Sequence, residues 1–150
     1  MANKGYYEYD PVVYPRKLWV MIGGAPDDIN RVFSNMDGTE IEIEGAKDAC
    51  ATTYPELWSK ENGKFGELVS FRSKKDMTMG FICHEAWHVL DAFISCLPLE
   101  RVDGGHNEHL SYLLQWICDR INMARLGKGE FVEIKENNIK QIGYEDIHRH

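Results

Sequence analysis

The sequence predicts an α+β domain, and three features of the residue pattern predict it. Short apolar alternations fill the first half, two long stretches with a helical period fill most of the second, and glycine or proline punctuates most junctions between them. With 150 residues and 43% hydrophobic side chains, one core is expected to bury roughly two thirds of the surface an unfolded chain exposes. The expectation is a single domain over 1–150. A mixed or antiparallel sheet of three to five strands packs on two helices, with an N-terminal arm over 1–16 and a C-terminal tail over 128–150.

Residues 1–16 carry four tyrosines and two prolines with little periodicity, and are expected to lie on the domain as an arm. The first strand is KLWVMI, 17–22, ended by Gly23 and Gly24. Pro26, Asp27 and Asp28 suit a helix N-terminus, so a short helix runs to about Asn35. In MDGTEIEIEG a turn precedes an alternating strand, with Ile41 and Ile43 on one face and Glu40, Glu42 and Glu44 on the other; DACATTYP is its expected partner. Asn62-Gly63 marks a turn before a further alternating strand over 66–73. From about Thr78 to Leu97 the apolar residues follow a helical period closed by Pro98. A second helix runs from Glu108 to about Leu126, with Asn107 as its cap and Gly127 as its stop. EFVEIK is a last strand.

Composition excludes some functions. A formal charge of −7 argues against a nucleic-acid binder, which needs clustered Lys and Arg to neutralise phosphates; the short basic cluster Arg72, Lys74 and Lys75 reads as a solvated strand end. No run of 18 uncharged apolar residues occurs, and the N-terminal stretch lacks an apolar run of signal-peptide length, so no membrane span is expected and a cytoplasmic location is. Cys50, Cys83, Cys96 and Cys118 form no CxxC pair, so they read mostly as buried thiols in a reducing compartment.

The chemistry is expected in CHEAWHVLD, 83–91. On a helix His84 and His88 lie one turn apart on one face, so both imidazoles can reach one zinc ion at about 2.0–2.1 Å. Glu85, about 100° around the axis, is placed to act on a water as a base without being a ligand. Random arrangement of six His and fourteen Glu gives this pattern in roughly 2% of cases, so context has to strengthen it.

His84, His88, Asp91 and Ser95 form one polar line at i, i+4, i+7 and i+11 on an otherwise apolar helix, and Glu108, Tyr112, Gln115 and Asp119 repeat that spacing on the next. Two buried helices with matching polar lines are expected to face each other across a site. Glu108 then supplies a third ligand, in preference to His106 or His109, because it shares its line with Tyr112, Gln115 and Asp119. Asp91, Gln115 and Asp119 are candidates to orient the imidazoles, although an exposed or interhelical polar residue is the favoured reading of each.

His84-Glu85-Ala86-Trp87-His88, followed by Glu108 at the start of a helix, resembles the gluzincin branch of the zincin metallopeptidases. The chain, with FRSKKDMTMGFICHEAWHV and NEHLSYLLQWI, is also similar to small zincin-like proteins encoded by bacteriophages and mobile elements. The first resemblance spans about Gly66 to Ile121. It implies a zincin-like domain, and an extended peptide laid along Gly66 to Ser73 as an edge strand. It also implies a downstream Tyr or His that stabilises the oxyanion; Tyr112, His106, His109, Tyr144 and His148 are candidates, with Tyr112 taken as the catalytic one. Tyr112 stands where many gluzincins have an aspartate.

The expected function is zinc-dependent peptide hydrolysis with Glu85 as general base. The alternative is an inactive or latent zincin-like domain that binds a partner peptide or a structural zinc, with the tail offering His148 or His150 to the metal.

Overall fold

The computed structural model describes residues 4–43 and 48–135. Its strands are β1 (Gly5–Tyr9), β2 (Lys17–Ile22), β3 (Phe33–Asn35), β4 (Ala51–Ser59), β5 (Phe65–Phe71) and β6 (Glu130–Glu133); its helices are α1 (Pro26–Val32), α2 (Met79–Cys96) and α3 (Glu108–Arg125). The strands form one mixed sheet in the order β3-β4-β5-β2-β1-β6. The α+β class holds, but the sheet has six strands rather than three to five.

The two additional strands are short and come from segments read otherwise. Residues 5–9 are not a loose arm: β1 pairs antiparallel with β2, Tyr6 opposite Met21, and Tyr6 is buried on the sheet. The helix expected to reach Asn35 ends at Val32, because Phe33 turns extended and 33–35 join the edge of β4. Among the described strands only β2 and β5 pair in parallel. The chain between them carries α1, β3 and β4, long enough for a crossover.

Alternation along the central strands sorts the core into two layers. Leu18, Val20, Val69 and Phe71 face α2 and α3, meeting Ala86, Val89, Phe93, Leu113, Ile117 and Ile121. Trp19, Met21 and Leu68 face the other way, toward Ile29 and Val32 of α1 and toward Phe33. Burying one such large apolar side chain is worth about 1.5–3 kcal/mol.

The β4–β5 hairpin turns at the expected Asn62-Gly63, where Gly63 has φ +67° and Asn62 Oδ1 accepts from the Lys64 N–H at 3.1 Å. Between Tyr54 and Leu57 the ladder slips by one residue, and Glu56 adopts a left-handed φ of +55°. This bulge lets Tyr54 and Leu57, an odd number of positions apart, both face the α1 layer.

Three other expectations are corrected. Ile41 and Ile43 are buried and Glu40 and Glu42 exposed, so the alternation is real, yet 41–43 form no strand; β4 pairs with β5 and β3 instead. The strand ending in 66–73 is not an edge: β5 is hydrogen-bonded to β4 on one side and β2 on the other. Asn107 precedes α3 with a left-handed φ of +51° and makes no side-chain cap; its amide bonds Val102 and Gly105 of the loop instead. The tail residues 136–150 lie outside the described residues.

Candidate active site

α2 starts at Thr78, whose hydroxyl accepts from the Phe81 N–H, and packs Ile82, Ala86, Val89, Leu90 and Phe93 into the core. That buried stripe fixes which way the rest of the helix points. His84 and His88 fall on the opposite side and are exposed, as are Asp91 and Ser95. The polar line therefore lies open to solvent rather than inside the protein. Energetically this is the easier arrangement, since buried imidazoles and a carboxylate would each need a partner.

The two imidazoles converge. Their Nε2 atoms lie 3.3 Å apart, with the rings inclined at 71°. Two imidazole ligands at 2.0–2.1 Å from one tetrahedral zinc have nitrogens about 3.3–3.4 Å apart. The pair fits zinc; a direct imidazole–imidazole hydrogen bond has the same separation.

Glu85 and Cys83 lie about 100° to either side of His84 around the helix, and each touches a different neighbour. Glu85 is 5% exposed and turns to the sheet, where Thr53 Oγ1 of β4 donates to its Oε2 at 2.6 Å. Cys83 turns toward α3, where burial first and Cys83 second push the Cys118 thiol pKa up to about 11. β4 and α3 thus flank α2 on opposite sides, with the histidines between them.

On the β4 side lies an open groove of about 530 Å³. Thr52, Thr53 and Glu56 form one wall; His84, Glu85, His88, Asp91 and Ser95 form the other. β3 pairs with β4 only at Leu57–Ser59. Ala51 to Tyr54 bond to β5 on their inner side, and among the described residues no strand pairs with their outer side. The edge expected of β5 is thus supplied by β4.

At the far end of the groove the Cys96 thiol donates to Glu56 Oε1 at 2.8 Å. Burial, with the Glu56 carboxylate second, pushes the Cys96 pKa up to about 11, so it remains a protonated donor. Behind it Arg16 Nε donates to Glu67 Oε1 at 2.8 Å and its Nη2 to the same oxygen. Oε2 of the fully buried Glu67 has no hydrogen-bond partner among the described residues, and burial raises this carboxyl's pKa against the opposing pull of Arg16.

The α3 side does not match the expectation of facing polar lines. α2 and α3 meet through Leu110, Leu113 and Ile117, while Glu108, Tyr112, Gln115 and Asp119 are exposed. Glu108 is the first residue of α3, at its loop end. Among the described residues no group of three or more His, Cys, Asp and Glu is placed to hold a metal ion.

His106 is exposed, and the His109 ring bonds the Glu100 carbonyl at 2.8 Å. No hydrogen bond joins either imidazole of the pair to Asp91, Gln115 or Asp119, and all three are exposed, as favoured for them over an orienting role. Tyr144, His148 and His150 lie outside the described residues. The cysteines are free; Cys83 is exposed and the other three half-buried, not mostly buried.

The sequence reading missed Thr53 and the wall it stands on. Its available signal was the β-branched pair Thr52-Thr53 in DACATTYP, read as a strand but given the wrong partner. No helix is long and apolar enough to cross a membrane. The chain matches no family model, no curated protein and no solved structure in comparisons with each.

Proposed function

We propose that the protein is a zinc-dependent peptidase of zincin type. One observation carries the reading: two imidazole nitrogens at zinc-ligand spacing share a groove with a buried glutamate beneath an unpaired strand edge. His84 and His88 would hold the metal, and Glu108, at the exposed start of α3, is the proposed third ligand. Zinc here supplies a water of pKa about 7 and a Lewis acid for the substrate carbonyl.

The chain's own residues do the rest. The outer edge of β4 takes an extended peptide by main-chain hydrogen bonds. Glu85, its Oε2 held by Thr53, accepts the proton of the attacking water and passes it to the leaving amine. Tyr112, exposed on α3, is the proposed oxyanion partner. A cytoplasmic, phage-associated role accords with the resemblance described above.

The absence of a gathered third ligand among the described residues favours a second reading, an inactive or latent zincin-like domain that binds a peptide or a structural zinc. Zinc content of the untagged protein, measured beside His84→Ala and Glu108→Ala, separates the two when combined with peptide hydrolysis. One zinc per chain, lost in both variants, with turnover abolished by Glu85→Gln, supports the peptidase. Zinc without turnover supports the second reading, and no zinc after incubation with it excludes both metal sites.

A further inference from the structure

Three carboxylates, Glu56, Glu85 and Asp91, line the groove, and among the described residues no Lys or Arg does. Glu85 is engaged by Thr53 and Glu56 shares one oxygen with the Cys96 thiol. Asp91 is exposed, one turn beyond His88, and its carboxylate has no protein partner among the described residues. Arg16, the cation at this end, is buried and committed to Glu67, so it does not neutralise the groove's rim.

A main chain docked on Ala51 to Tyr54 runs along this groove and sends alternate side chains down toward α2. A side chain sent down beyond His88 would come toward Asp91 and Glu56, which line the groove from its two walls. A cationic group placed there gains charge-assisted hydrogen bonds, whereas a carboxylate meets like charge at short range. We infer that the groove selects peptides bearing Lys or Arg at this position, with Asp91 as the principal specificity determinant and Glu56 as its partner. The inference rests on the peptide-docking part of the proposed function and goes beyond it in naming the side-chain class.

The test is fluorescence anisotropy with three extended alanine-based peptides that differ only in a central Lys, Leu or Glu, on the intact protein at low and high salt. Binding is expected to fall in the order Lys, Leu, Glu, at least fivefold between the first and last. Asp91→Asn is expected to cut that ratio to below about twofold, and Asp91→Asn with Glu56→Gln to abolish it; both positions are exposed, and circular dichroism verifies folding. Equal binding of the Lys and Glu peptides, or no binding of any of the three at millimolar concentration, overturns the inference. Cleavage of the same peptides is read separately. Lys-selective binding without cleavage sinks the peptidase and leaves the inference standing, while cleavage of all three without preference does the reverse.

Discussion

α2 and α3 carry the same polar spacing and put it to different use. On α2 the line His84, His88, Asp91, Ser95 is bordered by β4, which supplies Thr53, Glu56 and a free edge. On α3 the line Glu108, Tyr112, Gln115, Asp119 is also exposed, but lines none of the grooves described above. The lesson is that a polar stripe on a helix says where the helix meets water. A neighbouring element decides whether that stripe becomes one wall of a site.

This contrast can be broken most severely at His84. His84→Ala is expected to remove both zinc and all peptide turnover, measured by elemental analysis and peptide hydrolysis; retained zinc would mean that the pair is not the metal site. Glu85→Gln is expected to keep zinc and lower kcat by about 10³-fold, in the range of a lost general base. Thr53→Val tests whether β4 matters to the chemistry. It leaves a buried carboxylate oxygen without a partner, costing about 1–3 kcal/mol in urea unfolding, and is expected to lower kcat about tenfold with zinc content unchanged. The smallest effects belong to the other helix. Gln115→Ala and Asp119→Ala are expected to shift stability by less than about 0.5 kcal/mol, as surface changes do, and to leave zinc content alone. A zinc loss in either would show that the site draws on α3 beyond Glu108 and Tyr112.

The sequence carried the helices well, because each buries a stripe with a 3.6 period and their ends bear local signals: Thr78 at the start of α2, Pro98 after it, Gly127 after α3. β2 and the Asn62-Gly63 turn were legible for the same reason. Long-range pairing was not. Whether 51–54 lies beside 41–43 or 65–71 depends on which sheet position is free, and the alternation of Ile41 and Ile43 is satisfied equally by a non-strand segment lying over α1. The N-terminal tyrosines looked like an arm because a strand buried chiefly through aromatic rings with hydroxyls reads as polar on one residue and apolar on the next. In the site, His84, Glu85 and His88 were legible from helical spacing alone. Their partner Thr53, 32 positions upstream, was not, since no local pattern links a strand hydroxyl to a helix carboxylate.

The bulge at Pro55 and Glu56 has a consequence for self-association. An exposed strand edge is a template on which other copies of a chain can stack, and proteins commonly blunt it with proline or with a kink. Here β3 closes the edge over Leu57–Ser59 and the bulge interrupts it just before, so among the described residues the open stretch is Ala51 to Tyr54. In an antiparallel ladder every other residue presents its N–H and C=O outward, which leaves about two residues' worth of bonding. That is enough to hold a short segment of another chain in place, and too little to seed a growing sheet.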